Sequence, residues 1–268
     1  MALDKAAELG INFIDTAEVY GRGESERLLG EFLAGRREQF VIATKFTPTH
    51  LTQDGILKAC SKSLERLDVR YVDLYQVHWY NPVTSIRTTM KAMERLYVDG
   101  MIRAIGVSNF SASQVREARE HLSRADIASD QVKYNLLERG PERELLPYLK
   151  REGLSLIAYS PLAQGALTGR YDGTVKPAGY VRRFNSLFSS HNLRRLQPLI
   201  ATLNSIGRVG GKTVAQVALN WLLHHPSVVP IPGAKGPSNV EDDSGAADWR
   251  LTKEELERVE EAYNAFNR

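Results

Sequence analysis

Short apolar runs alternate with amphipathic stretches almost from end to end of the chain. The strand candidates are 11–16, 39–46, 71–78, 102–108, 127–133, 154–160 and 228–232. Helical stretches at 24–34, 54–67, 85–98, 112–122, 142–151, 213–224 and 252–265 fill much of the space around them. In 54–67, Ile56, Leu57, Cys60, Leu64 and Leu67 recur at three- and four-residue spacing, which places them on one helical face. Thr52 and Ser85 stand where N-caps belong, and Gly100 and Gly153 where helices stop. Strands alternating with helices in this order predict a parallel sheet covered by helices.

The expected fold is α/β, a (β/α)8 TIM barrel in one domain over 1–268. Seven strands are legible where a closed barrel of this type has eight. The chain opens on a helix-like segment, MALDKAAELG, with Leu3, Ala6, Ala7 and Leu9 as its apolar side. No strand precedes it, so the first barrel strand is expected to be absent. If the sequence is complete as it stands, unpaired sheet edges predict poor folding and weak cofactor binding. The stretch 165–192 is too long for a simple connection and reads as a substrate loop.

Hydrophobic residues make up 43% of the 268, enough for a sizeable core. The net charge of +3 is compatible with a small anionic ligand and too weak to argue for nucleic acid. A single cysteine, Cys60, forms no intrachain disulfide and no cysteine-rich metal site. With no apolar stretch of membrane length and no signal-peptide core, the expected location is the cytoplasm, with neither membrane nor nucleic acid as partner. His224 and His225 close a helix and match no metal motif.

Four polar residues stand at or just beyond the C-terminal ends of buried strands: Asp15, Tyr20, Lys45 and His78. In a parallel barrel that is the side where active sites are built. A free tyrosine, with a pKa of about 10, is a poor acid at neutral pH. A neighbouring lysine stabilises the phenolate, and an aspartate keeps the lysine in place. A histidine beside them can donate a hydrogen bond to the same substrate oxygen. Singly, each residue has a plainer reading: an ion pair, a packed aromatic, a core histidine. Together they form a proton donor, which calls for a hydride from a cofactor.

The ordered motifs DTAEVYG (15–21), ATKF (43–46), DLYQVHW (73–79), IRAIGVSNF (102–110), QVKYN (131–135), AYSPLAQGALTGRY (158–171) and VVPIPGAKGPSNVEDDSGA (228–246) resemble those of the aldo-keto reductases, of bacterial type and similar also to potassium-channel beta subunits. The resemblance implies reduction of aldehydes or ketones with NADP(H), NAD(H) also being open. It makes Tyr20 the general acid, tuned by Lys45 and Asp15, with His78 orienting the carbonyl. It places Ser108, Asn109 and Gln131 at the nicotinamide carboxamide and Tyr159 on the nicotinamide ring. Ser160, Leu162 and Gln164 then approach the pyrophosphate, while Gly233, Lys235, Asn239, Asp242 and Asp243 hold the adenosine end. One cation, Lys235, stands where NADP-preferring members commonly have two, and Asp242–Asp243 replaces a Glu–Asn pair. A modest preference for NADPH is therefore expected.

The glycines of Gly21-Arg22-Gly23 lack a third partner, Glu26 standing in its place, so they are read as a turn with Ser25 capping the next helix. Substrate contacts are expected from Trp79 and Tyr80, and from Arg182, Arg183, Phe184 and Phe188 in the long loop, around a permissive site for small carbonyl compounds. The alternatives are a cofactor-binding regulatory subunit and an inactive truncated barrel.

Overall fold

The computed structural model describes all residues except 176–178, 180, 181, 183 and 268. Arg183 of the expected substrate loop thus lies outside the described residues. Among the described residues seven strands form, where seven were expected: β1 (Phe13–Asp15), β2 (Val41–Phe46), β3 (Val72–Val77), β4 (Ile102–Ser108), β5 (Ile127–Lys133), β6 (Ser155–Tyr159) and β7 (Val228–Ile231). They are hydrogen-bonded in chain order, and β1 to β5 pair parallel. The register sets Asp15 beside Ala43, Lys45 beside Gln76, Gln76 beside Gly106 and Ser108 beside Gln131.

The chain divides into two compact units. One, residues 10–132 and 141–157, carries β1–β4 and the helices α2 (Glu24–Leu33), α3 (Gln53–Leu67), α4 (Ile86–Val98), α5 (Ala112–Glu120) and α6 (Leu145–Glu152). Its helix ends follow the local chemistry. The Thr52 side chain accepts from the Gly55 amide and Ser85 from the Thr88 amide, while Gly153 closes α6 at φ 71°. The face of α3 buries Ile56, Ala59, Cys60, Ser63, Leu64 and Leu67, with Leu57 only half-buried. Helix α2 lies so close to the end of α3 that a Cβ on Gly30 would stand 2.8 Å from the Leu67 carbonyl. Ser25 does not cap α2. Gly23, at φ 90°, takes the cap position, and the Ser25 hydroxyl sits 2.8 Å from that of Thr16 instead. Behind β2, buried Glu26 accepts from Thr44 Oγ1 at 2.6 Å and Arg66 Nε at 2.6 Å, so its charge is matched.

The other unit, residues 1–9, 133–140 and 158–268, carries α1 (Ala2–Glu8), α7 (Ser190–Val209), α8 (Val214–Leu223), β7, α9 (Pro237–Ser244) and α10 (Lys253–Phe266). Of the expected apolar side of α1 only Ala6 is buried. The helix ends at Glu8, which turns Leu9 outward as its C-cap, 44% exposed. Lys5 pairs with Glu241 of α9 at 3.2 Å. Helices α7 and α9 were not among the expected segments; α7 buries Leu193, Leu196, Leu199, Ile200, Leu203 and Ile206 on one face. Buried Asn220 on α8 donates to the Ala246 and Trp249 carbonyls and accepts from the Leu251 amide, fixing the path into α10. Among the described residues no helix is long and apolar enough to cross a membrane.

Candidate active site

Strand β1 ends on Asp15, and β2 presents Lys45 two residues beyond the Asp15–Ala43 pair. This stagger brings Lys45 Nζ to 2.5 Å from Asp15 Oδ2 and 2.7 Å from the Thr16 carbonyl. Lys45 is 0% exposed, so nearly all its interactions are protein-made. The 3-10 turn Tyr20–Gly23 follows β1 and returns Tyr20 over the lysine, whose Nζ lies 5.1 Å from the Tyr20 ring centroid. His78 meets the same ring edge-on, centroids 5.9 Å apart. Tyr20 keeps 41% of its surface exposed. The four residues expected to act together therefore do meet, with the tyrosine outermost.

Burial sets the electrostatics. Lys45 is pulled below the ordinary lysine value by loss of water, against the opposing pull of Asp15. His78 is also lowered, first by burial and then by the Lys45 charge, so its neutral form dominates at neutral pH. A neutral imidazole beside a carbonyl oxygen can still donate one hydrogen bond.

Asp15 is held on its other oxygen too. Gln76 Nε2 and Gln131 Nε2 donate to Oδ1 at 3.1 and 2.8 Å, and Gln131 Nε2 also reaches Gln76 Oε1 at 3.4 Å. Gln131, expected at the nicotinamide amide, thus also touches the acid cluster. Gln76 was not singled out from the sequence. The signal was present: on β3 it shares the face of His78 through the two-residue period. Ser108 donates to the Gln131 carbonyl at 2.7 Å, and Asn109, at φ 59°, donates to the His78 carbonyl at 3.3 Å and to Ser108 Oγ at 3.0 Å. Glu18, also unmarked by the sequence reading, fastens the loop bearing Tyr20. Its Oε1 accepts from the Thr47 amide and hydroxyl at 2.7 and 2.9 Å and lies 2.9 Å from His50 Nε2.

Trp79 is half-exposed, and Tyr80 meets Phe110 edge-on at 5.9 Å, giving this unit an aromatic surface just past His78. The Asn81 side chain donates to the Pro48 carbonyl at 2.6 Å and holds that loop down.

The remaining expected residues lie in the other unit. Tyr159 ends β6 half-buried, and its hydroxyl is pushed up by burial and by Glu138. Ser160, Ala163 and Gln164 all take positive φ, at 51°, 48° and 56°, in a tight loop closed by bonds from the Gly165 and Leu167 amides to the Leu162 carbonyl. Asn135, itself fully buried, donates to the Ser160 carbonyl at 3.0 Å and pins this loop, and Arg182 Nε donates to the Gln164 carbonyl at 3.0 Å. Gly233 and Lys235 are exposed, and Lys235 makes no ion pair among the described residues. Asn239 lies in the first turn of α9, its amide 3.1 Å from the Gly236 carbonyl. Asp242 accepts from Thr213 Oγ1 at 2.8 Å, while burial beside Asp242 pushes the Asp243 carboxyl up to about 6.

A family model described as the aldo/keto reductase family matches residues 1–264. The chain belongs to the aldo/keto reductase family. An uncharacterised oxidoreductase of Mycobacterium tuberculosis is 40% identical over 98% of the chain and 80% of its own length. The chloroplastic pyridoxal reductase of Arabidopsis thaliana is 38% identical over 97% of the chain and 75% of its own length. An aldo-keto reductase from Klebsiella pneumoniae, crystallised with NADPH, superposes with a TM-score of 0.81 at 32% identity over 98% of this chain and 83% of that one. As an aldo/keto reductase the chain is an oxidoreductase with the family's (β/α)-barrel fold, seven of whose strands are seen here. The donor set also fits a phosphorylated nucleotide. An exposed lysine, without an ion pair among the described residues, precedes the N-terminus of α9, and both features favour a phosphate.

Proposed function

We propose that this aldo/keto reductase reduces aldehydes and ketones to alcohols with NADP(H), using Tyr20 as the proton donor. The observation that carries the reading is the stack of Asp15, Lys45 and Tyr20, with His78 at the edge of the same ring. NADPH, when bound, supplies the hydride that adds to the carbonyl carbon. The protein's task is then at the oxygen. His78 orients the carbonyl by a hydrogen bond, and the Tyr20 hydroxyl gives its proton as negative charge develops there. The buried Lys45 charge stabilises the phenolate left behind, because low-dielectric surroundings lengthen its reach. Asp15 keeps that ammonium in place. In the reverse direction the phenolate accepts the alcohol proton.

Lys235 and the start of α9 would hold the 2′-phosphate, with the loop at 160–164 along the pyrophosphate. Ser108, Asn109 and Gln131 would bind the carboxamide, and Tyr159 would cover the ring. Trp79 and Tyr80 favour carbonyl compounds with an apolar or aromatic body. The relative that acts on pyridoxal, an aromatic aldehyde, supports that choice. Steady-state oxidation of NADPH by a simple aromatic aldehyde tests the reading. Wild type should turn over, and Tyr20→Phe should lower kcat by about 10²–10⁴-fold while still binding NADPH. Equal rates for the two proteins would refute it.

A further inference from the structure

Asp15 Oδ2 is used by Lys45, and Oδ1 receives Gln76 Nε2 and Gln131 Nε2. Both glutamine side chains are buried, Gln76 completely. In the sheet register Lys45, Gln76 and Gly106 stand side by side on β2, β3 and β4. A Cβ on Gly106 would lie 2.8 Å from Gln76 Cγ, so the bare glycine leaves the space this side chain occupies. A buried amide that fills a prepared space and spends its donor on the catalytic carboxylate does more than pack.

We infer that Gln76 is a positioning residue for proton transfer, acting on Tyr20 through Asp15 and Lys45. The inference rests on the proposed role of Tyr20. By donating to Oδ1, Gln76 fixes the carboxylate rotamer, so Oδ2 remains directed at the lysine. It also disperses part of the Asp15 negative charge, which leaves more of the Lys45 positive field for Tyr20. Gln131 joins the same oxygen, and by the proposed function its amide also faces the nicotinamide. The charged and titratable groups around this network are Lys45, His78 and Tyr20 in front, Glu18 on the β1 loop, and Glu26 behind β2. All of them stay in place when Gln76 alone is changed.

Gln76→Met keeps the volume and removes the donor; Gln76→Leu is the second variant. Weakening the lysine field should raise the alkaline limb of carbonyl reduction, where Tyr20 loses its proton, by about half a unit or more. Alcohol oxidation near neutral pH should slow about threefold or more, as a half-unit shift dictates, with NADPH Kd unchanged within about twofold. A purely structural glutamine would lower Tm or the active fraction and leave the pH limb in place. Folded variants with the wild-type limb would overturn the inference, as would failure of both variants to fold, which would make Gln76 structural. A wild-type protein without turnover would instead refute the proposed function.

Discussion

The acid cluster and the candidate phosphate stretch at 233–236 are built by opposite rules. Around Asp15, each carboxylate oxygen is bonded, the lysine is wholly buried, and the loop carrying Tyr20 is tied down by Glu18. At 233–236 the residues are mostly exposed, and Lys235 makes no ion pair among the described residues. Proton transfer depends on sub-ångström placement and a dry field, so its groups must be fixed before substrate arrives. A dianionic phosphate needs mainly charge and accessible donors, which a solvated lysine can supply after encounter. By the proposed function, the buried and fully bonded groups stand where bonds change and the solvated lysine where the phosphate is caught.

Lys45→Met should break the ordered side of this contrast most severely. It strands Asp15 in a buried site, so kcat should fall about 10³-fold or more and stability by about 3–5 kcal/mol, read by denaturant unfolding. Activity within tenfold of wild type would show that the lysine only packs.

A second test concerns an exception within the ordered region. Asp130, beside Gln131 on β5, is buried, and among the described residues neither carboxyl oxygen has a hydrogen-bond partner of good geometry. Burial raises it to about 8, the Phe110 amide offsetting only part of the cost. The folded protein therefore holds a proton that the unfolded chain releases near pH 4, and stability falls as pH rises toward about 8. Asp130→Asn cannot ionise, so its Tm should exceed that of wild type at pH 8.5 by several degrees, with the gap shrinking by pH 5. A gap independent of pH would mean that Asp130 finds a partner when charged.

The smallest effect should come from the solvated side. Lys235→Ala should leave Tm unchanged and weaken NADPH relative to NADH by about tenfold, measured as two Kd values. An unchanged ratio would remove the lysine from the phosphate site.

The sequence made the framework legible because strands such as FVIATKF and YVDLYQVH are continuous apolar runs with ionisable ends. Those ends drew the reading straight to Asp15, Lys45 and His78. Gln76 and Glu18 stayed hidden for a physical reason. Gln76 does not terminate its strand and Glu18 lies in a loop, and an amide or a loop carboxylate gains meaning only once its partner is known. Ser25 misled because its cap role was taken by a glycine able to adopt positive φ. Helix α9 lacked an apolar stripe, burying only Val240, so periodicity could not find it.

Strand β1 has one more consequence. Its ladder with β2 spans only Phe13, Ile14 and Asp15, extended by the Asn12 carbonyl accepting from the Val41 amide and by the Thr16 and Glu18 amides donating to Ala43 and Lys45 carbonyls. A slip of one residue would swap the faces of the strand and carry Asp15 away from Lys45. Such molecules would retain almost all secondary structure and pass as folded by spectroscopy, yet be silent in turnover. By the proposed function, such a slip would remove competent enzyme without removing folded protein, a loss that active-site titration counts and a melting curve overlooks.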